Sequence, residues 1–333
     1  MVINAYAAFE PGGQFEHFSY DPGEIGPHEV EIEVRSCGVC HSDLSMWQNE
    51  WGIAEYPFVG GHEIAGVVAS VGNLVENVKA GDRVGLGWQK GYCNTCNQCL
   101  GGDHNLCTEQ QGTIIGHFGG FAERVRAQDT SVIKIPESFD LNLVGPLLCG
   151  GITVFNPLIQ YEIKPTSRVA VIGIGGLGHL ALQFARAWGC EVTALTSKSK
   201  MDEARHLGAH HCLDSRNPEE IAGAQGHFDL VISTVNVAMD WNALVATLKP
   251  KGRLHFVGIV EKPLEVAALP MIMQQNSISG SPVGSPATLN TMMEFAARHN
   301  IRPVTESFKF EEINKAFEHL ESGKARYRIV LVR

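Results

Sequence analysis

The sequence predicts an α/β protein of two domains, one rich in β-strands and one built on a doubly wound parallel sheet. Its length of 333 residues suits about two domains. Short apolar runs separated by turns fill the first 150 residues. Beyond them, apolar strands alternate with segments of helical spacing, a pattern typical of a parallel sheet.

Composition and charge exclude several classes of protein. The formal net charge is −10 and no basic cluster is present, which argues against nucleic acid as the main partner. No apolar run approaches the roughly 18 residues of a membrane helix, so no membrane partner is expected. The first ten residues lack a basic stretch followed by an apolar one, the pattern of a secretory signal. We therefore expect a cytoplasmic protein.

The first domain is expected to be a partly open barrel of short strands. Residues 30–34 alternate apolar and charged side chains, the period of a half-buried strand. Residues 64–71 form an apolar, β-branched run, and residues 79–84 resemble a turn that enters a strand.

The second domain is predicted from its regular order of strands and helices. Strands are expected at 168–172, 192–196, 229–233 and 253–260, and helices at 178–188, 201–207 and 241–248. After residue 286 the pattern changes to helices at 287–299 and 311–322 and a strand at 328–332. The predicted domains are therefore 1–150 with 286–333, and 151–285.

Nine cysteines, an odd number, argue against a complete disulfide framework. Four of them follow the pattern C-x2-C-x2-C-x7-C, whose spacing lets four thiolates surround one tetrahedral ion. Such a shell leaves no position for substrate, so the pattern predicts a structural zinc. A cluster of free thiols and an iron–sulfur cluster are the weaker alternatives. The four are Cys93, Cys96, Cys99 and Cys107.

A glycine motif, G-x-G-x-x-G, lies between the strand at 168–172 and the helix at 178–188. This context indicates a dinucleotide site whose pyrophosphate rests at the helix N-terminus. The first glycine allows the turn, the second admits the pyrophosphate, and the third allows close packing of helix and strand. The predicted contacts are Gly173, Gly175, Gly176, Leu177 and Gly178.

The end of the second strand indicates which dinucleotide binds. NAD sites usually carry an Asp or Glu there, about 20 residues beyond the glycines. This chain has hydroxyls and lysines instead, which suit the 2′-phosphate of NADP. We therefore predict NADP(H), with Ser197, Lys198 and Lys200 as the contacts. An exposed basic loop is the alternative interpretation.

Several motifs in order resemble one enzyme family along essentially the whole chain. They are GVCHSD, GHE, the cysteine quartet, LLCGGITV and the glycine motif. Together they are similar to the zinc-dependent medium-chain alcohol dehydrogenases. Residues 87–89 and the turn at 280–285 resemble the cinnamyl alcohol dehydrogenase-like branch. The resemblance implies a GroES-like catalytic domain and a Rossmann cofactor domain.

The resemblance also implies a second, catalytic zinc, which sequence spacing alone does not reveal. Cys40, His62 and Cys149 would hold the ion, with Glu63 as a nearby carboxylate that helps to exchange the fourth ligand. Asp43 would orient His62. Ser42 matches the hydroxyl that relays the substrate proton. Ser45 stands where many relatives have a histidine, so the relay ends in Ser45 or in water.

Further contacts are likewise implied by the resemblance. For the cofactor they are His41, Thr153, Thr234, Gly258, Ser281, Val283 and Arg328, with Arg326 as an alternative to the last. For the apolar substrate pocket they are Trp47, Trp51, Trp88 and Val283. Such a pocket suits aliphatic or aromatic primary alcohols and aldehydes, and NADPH favours aldehyde reduction. A homodimer through the sheet edge near 277–283 is expected.

Other functions are also compatible with the sequence. Within the same superfamily, a polyol or formaldehyde dehydrogenase would be separated by a substrate panel. A zinc-free relative of the quinone reductases is disfavoured by the full ligand set. A structural or redox-sensing zinc protein that keeps the fold without activity is the alternative from another class. Zinc content and turnover would distinguish it, because the enzyme needs two zinc ions per chain.

Overall fold

The computed structural model describes residues 1–333, which divide into two compact units. The first consists of Met1–Ile152 and Gly284–Arg333, and the second of Thr153–Val283. No helix combines the length and the apolar character needed to cross a bilayer.

Seventeen strands and ten α-helices are numbered here in chain order. The strands are β1 Ile3–Ala7, β2 Glu16–Tyr20, β3 Glu29–Val39, β4 Ile64–Val71, β5 Arg83–Leu86, β6 Gln89–Gly91, β7 Gln111–Gly112, β8 Arg124–Gln128, β9 Ile133–Lys134, β10 Arg168–Ile172, β11 Glu191–Thr196, β12 His211–Asp214, β13 Phe228–Ser233, β14 Leu248–Phe256, β15 Ser277–Gly280, β16 Thr305–Lys309 and β17 Arg328–Val332. The helices are α1 His41–Trp47, α2 Asn97–Leu100, α3 Gly150–Gln160, α4 Gly178–Trp188, α5 Met201–His206, α6 Pro218–Gly223, α7 Trp241–Ala246, α8 Ala268–Gln274, α9 Pro286–Arg298 and α10 Ile313–Glu321.

The first unit is built on a seven-stranded sheet in the order β16-β17-β3-β4-β5-β9, with β8 also paired to β3. Strand β3 pairs antiparallel with β4, β8 and β17, so it forms the centre of the unit. Its Val30, Ile32 and Val34 are fully buried, as the alternating pattern predicts. Glu31 is also buried, because Arg124 and Arg126 pair with its carboxylate at 2.6 and 3.0 Å.

The second unit is a parallel six-stranded sheet in the order β12-β11-β10-β13-β14-β15. This order reverses next to β10, where doubly wound sheets bind their ligands. The predicted α/β class is therefore confirmed. One strand boundary was predicted wrongly: β14 ends at Phe256 rather than at residue 260. The backbone N–H groups of Val257 and Gly258 donate to the Ser233 carbonyl oxygen, which turns the chain out of the sheet.

Candidate functional site

Four side chains from three separate parts of the sequence meet in the interior of the first unit. Cys40, His62, Glu63 and Cys149 are buried, and one ligand atom of each lies within 4.8 Å of the others. The two sulfur atoms are 4.0 Å apart. The structure thus brings together the residues that sequence spacing alone leaves unconnected.

Helix α1 and its first turn build one side of this cluster. Cys40 is the N-cap residue, and its backbone N–H donates to Oδ2 of Asp43 at 2.9 Å. The other carboxylate oxygen of Asp43 accepts from the Gly61 backbone N–H at 2.8 Å and lies 3.1 Å from Nδ1 of His62. Nδ1 therefore carries the proton, and Nε2 of His62 keeps a free lone pair.

The cluster fits a zinc ion on two observations. Nε2 of His62 is buried and has no hydrogen-bond partner, an unfavourable arrangement that a bound cation relieves. Zinc–sulfur bonds of about 2.3 Å in a tetrahedral shell separate two sulfur atoms by about 3.8 Å. The observed 4.0 Å between Cys40 and Cys149 is close to this value.

The charges of the cluster also suit a cation. The hydrogen bond from Cys149, supported by the positive Arg328, holds the pKa of Cys40 well below its ordinary value. Burial raises the pKa of Glu63 to about 7, although Arg328 opposes this shift. Arg328 and Glu63 form a buried ion pair. Arg328, predicted as a cofactor contact, is thus placed beside the metal ligands, whereas the side chain of the exposed Arg326 contacts nearby backbone carbonyls and the Tyr327 ring.

Three predicted pocket tryptophans lie in two different surroundings. The ring of Trp88 meets that of His62 edge-on at 4.8 Å, and Trp51 packs against Trp88 at 6.2 Å. Trp47 instead packs against Phe15 and Phe317, and its indole N–H donates to the Gly13 carbonyl oxygen. The structure therefore gives Trp47 a packing role.

The cysteine quartet forms the second candidate metal centre. The sulfur of Cys93 lies 3.9 Å from that of Cys99 and 3.5 Å from that of Cys107. The backbone N–H of Cys96 donates to the Cys93 sulfur at 3.3 Å. The N–H of Thr95, together with that of Cys96, lowers the pKa of Cys93 to about 6. All four ligand atoms lie within 4.8 Å of one another, which fits a closed tetrahedral shell.

The glycine motif has the geometry of a phosphate-binding turn. Gly173 has φ +83°, a value that favours glycine. A Cβ on Gly178 would overlap the Gly173 carbonyl oxygen, whereas a Cβ on Gly175 would meet nothing within 4 Å. The hydroxyl of Thr234 lies 2.9 Å from the carbonyl oxygens of both Gly173 and Ile172, so it braces the turn.

Beyond β11 no acidic residue occupies positions 197–200. Lys200 donates from Nζ to the Ile174 carbonyl oxygen at 3.1 Å, which brings its charge to the glycine motif. Ser197 lies 3.1 Å from Ser199 through their hydroxyl oxygens, and Lys198 is exposed. The formal charge of residues 197–200 is therefore positive.

The remaining predicted residues are spread along both units. His41 is exposed in the first turn of α1, next to the half-buried Ser42, and Thr153 is buried in α3. Gly258 lies against the backbone of Thr234.

Sequence reasoning missed two residues that hold the segment 281–283. Both ring nitrogens of His255 meet serine hydroxyls, and Asn156 donates to the Val283 carbonyl oxygen. The only signal for His255 was a lone histidine in an apolar strand.

Comparison with known proteins identifies the class. Residues 26–137 match the family model described as alcohol dehydrogenase GroES-like domain, and residues 176–298 match the model described as zinc-binding dehydrogenase. The chain belongs to the zinc-dependent medium-chain alcohol dehydrogenases, in the cinnamyl alcohol dehydrogenase-like branch. The predicted resemblance and the pairing of a GroES-like with a Rossmann domain are confirmed.

Individual relatives cover almost the entire chain. The sequence is 60% identical over 331 residues to an aldehyde reductase, AdhA, from Synechocystis, covering 99% of this chain and 98% of that protein. A solved cinnamyl alcohol dehydrogenase from Sorghum bicolor has a TM-score of 0.95 at 36% identity, covering 100% of this chain and 98% of that one. A Helicobacter pylori relative complexed with NADP(H) has a TM-score of 0.90 at 29% identity, covering 100% and 98%.

Proposed function

We propose that this protein is a zinc-dependent oxidoreductase that interconverts primary alcohols and aldehydes, aliphatic or aromatic, with NADP(H), and that aldehyde reduction is its favoured direction. The observation that carries the proposal is the buried cluster of Cys40, His62, Glu63 and Cys149, in which Nε2 of His62 has no partner. The 60% identical relative is named an aldehyde reductase, which supports the direction.

In this assignment Cys40, His62 and Cys149 hold the catalytic zinc and Asp43 fixes the ring of His62. When bound, zinc polarises the substrate oxygen as a Lewis acid and NADPH supplies the hydride. Glu63, paired with Arg328, is a carboxylate beside the ligand shell that helps the fourth ligand to exchange. Two thiolates balance the charge of the ion.

Ser42 is assigned the transfer of the proton that the product alcohol requires. Its hydroxyl can donate one proton while accepting another, and it is half-buried in the first turn of α1, two residues after Cys40. Ser45, on the same helix, is buried and lacks the imidazole that would exchange protons with solvent near pH 7. The relay from Ser42 is therefore completed by hydroxyl groups or water.

The second unit is assigned to NADP(H), with the pyrophosphate on the glycine motif at the start of α4. Ser197, Lys198 and Lys200 are assigned to the 2′-phosphate. The other proposed contacts are His41, Thr153, Thr234, Gly258, Ser281, Val283 and Arg328. Trp51 and Trp88 are proposed to shape the apolar substrate pocket, together with Val283. The proposed catalytic domain comprises 1–150 and 286–333, and the proposed cofactor domain comprises 151–285.

We further propose a cytoplasmic homodimer. Strand β15 lies at the edge of the six-stranded sheet, so one side of its backbone is available to pair with a second copy. The preceding helix α8 exposes Leu269, Ile272 and Met273 to 68%, 69% and 72%. Exposed apolar side chains beside an open sheet edge suit a protein interface. The mass of the protein in solution tests whether it is a dimer.

The function is tested by zinc content together with turnover. The proposal predicts two zinc ions per chain and reduction of benzaldehyde or butanal, with a higher kcat/KM for NADPH than for NADH. Cys40→Ser should lose one zinc ion and nearly all activity, whereas the matched variant Cys212→Ser, outside both clusters, should keep both. Full activity of Cys40→Ser without zinc at that site would refute the mechanism.

A further inference from the structure

A fully buried histidine, His255, lies in strand β14 of the second unit. Its Nδ1 is 2.9 Å from the hydroxyl oxygen of Ser279, and its Nε2 is 3.0 Å from that of Ser281. Ser279 is the direct partner of His255 in the pairing of β14 with β15. One ring thus joins a residue inside the edge strand to a residue just beyond its end.

The surroundings of the ring keep it neutral and fully paired. Burial, reinforced by the positive charge of Arg253, lowers the pKa of His255 to about 4. A neutral imidazole has one N–H donor and one acceptor nitrogen. One serine hydroxyl therefore donates to the ring and the other accepts from it, and no buried ring nitrogen is left unpaired.

The segment held by this ring, Ser281 to Val283, lies where a parallel sheet binds ligands. It begins directly after the carboxyl end of β15, just as the glycine motif follows β10 and Thr234 follows β13. In open α/β sheets the ligand site is at this edge. The far end of the segment is also fixed, because Nδ2 of Asn156 donates to the Val283 carbonyl oxygen at 3.1 Å.

We propose that His255 is a positioning residue, which holds the Ser281–Val283 segment in the conformation that binds NADP(H). The inference rests on the proposed function, since it assumes that this segment contacts the dinucleotide. His255 acts through Ser281, whereas its bond to Ser279 stays within the sheet, between residues paired in register.

Two substitutions separate the two bonds. The side-chain amide of Asn resembles Nδ1 of histidine in position and that of Gln resembles Nε2, so each keeps one partner. His255→Gln retains a group opposite Ser281, and His255→Asn retains one opposite Ser279. Loss of one buried hydrogen bond corresponds to about tenfold in an equilibrium constant. We expect the Kd for NADPH to rise about tenfold in His255→Asn and to stay within about twofold in His255→Gln.

The experiment is an NADPH fluorescence titration of the zinc-loaded wild type and both variants, with Ser279→Ala as a control that should bind as the wild type does. Melting temperature and kcat at saturating NADPH are measured alongside. A purely structural role would lower the melting temperature of both variants and leave their Kd values alike, which would overturn the inference. A wild type that binds no NADPH would instead refute the proposed function.

Discussion

Asp43 offers a quantitative test of how the first unit prepares its metal site. Its carboxylate is fully buried and serves three partners: the backbone N–H groups of Cys40 and Gly61, and Nδ1 of His62. Asp43→Asn keeps the oxygen that serves Gly61 and His62. It replaces the other oxygen by an NH2 group, which is itself a donor and cannot accept the hydrogen bond from the Cys40 N–H.

The expected cost follows from the lost contact. A hydrogen bond to a charged group contributes about 1.5–3 kcal/mol, so Asp43→Asn should lower the free energy of unfolding by about that amount. Because the turn at Cys40 is released and the remaining bond to His62 loses the charge of its acceptor, zinc affinity at this centre should fall about 10- to 100-fold. Asp43→Ala loses all three bonds, a loss comparable with the total stability of a small domain, and should fold poorly.

The assay is competition for zinc with a chromogenic chelator, in which the two ions leave in separate steps. Asp43→Asn should weaken only one step, since the hydrogen bonds of Asp43 go to Cys40, Gly61 and His62, whereas the cysteine quartet has its own backbone donors. Asp103→Asn is a matched control, because Asp103 is exposed and makes no cap hydrogen bond with its side chain. If both steps of Asp43→Asn lie within about twofold of the wild type, the hydrogen-bond argument is wrong.

Further predictions test the other parts of the molecule. Gly175→Ala should leave the melting temperature unchanged yet weaken NADPH binding, because the added Cβ meets no protein atom but enters the proposed pyrophosphate space. Gly178→Ala should lower the melting temperature, because its Cβ would overlap the Gly173 carbonyl oxygen. Both are read by thermal melting and NADPH titration. Cys96→Ser should retain one zinc ion instead of two and lower the melting temperature, as metal analysis and calorimetry would show. The depressed pKa of His255, about 4 in the folded protein, makes its contribution to stability complete above about pH 6.5 and progressively lost as the pH falls towards 4. His255→Phe should therefore flatten the fall in unfolding free energy over that range, measured by urea titration at several pH values.

Local patterns in the sequence predicted the elements whose interactions are themselves local. The glycine motif, its strand and its helix all lie within 168–188, and the cysteine quartet spans fifteen residues, so periodicity and spacing suffice. The catalytic cluster is different. Cys40 and Cys149 are 109 positions apart and meet because the turn at 145–148, which precedes Cys149, packs against β3 and β4. Only the family resemblance could connect them.

Long-range pairing also explains what the sequence pattern missed. Alternation along β3 predicts an exposed Glu31, but the neighbouring strand β8 supplies two arginines that bury it as an ion pair. Arg328 follows the same principle, since its partner Glu63 is 265 positions away in sequence. In both cases a charge is buried because a distant residue of opposite sign reaches it, and no local periodicity encodes such a partner.

His255 shows that the partners of a polar residue decide whether it can be buried in an apolar strand. Burying an imidazole without hydrogen-bond partners would cost more free energy than burying an apolar side chain in the same strand. Here β15 places hydroxyls opposite both ring nitrogens, one from Ser279 in register and one from Ser281 beyond the strand end. The first of these bonds lies within the sheet. The second bond reaches Ser281, in a segment that belongs to no strand. Because no backbone pairing fixes the chain there, a side-chain hydrogen bond has the most influence on its conformation.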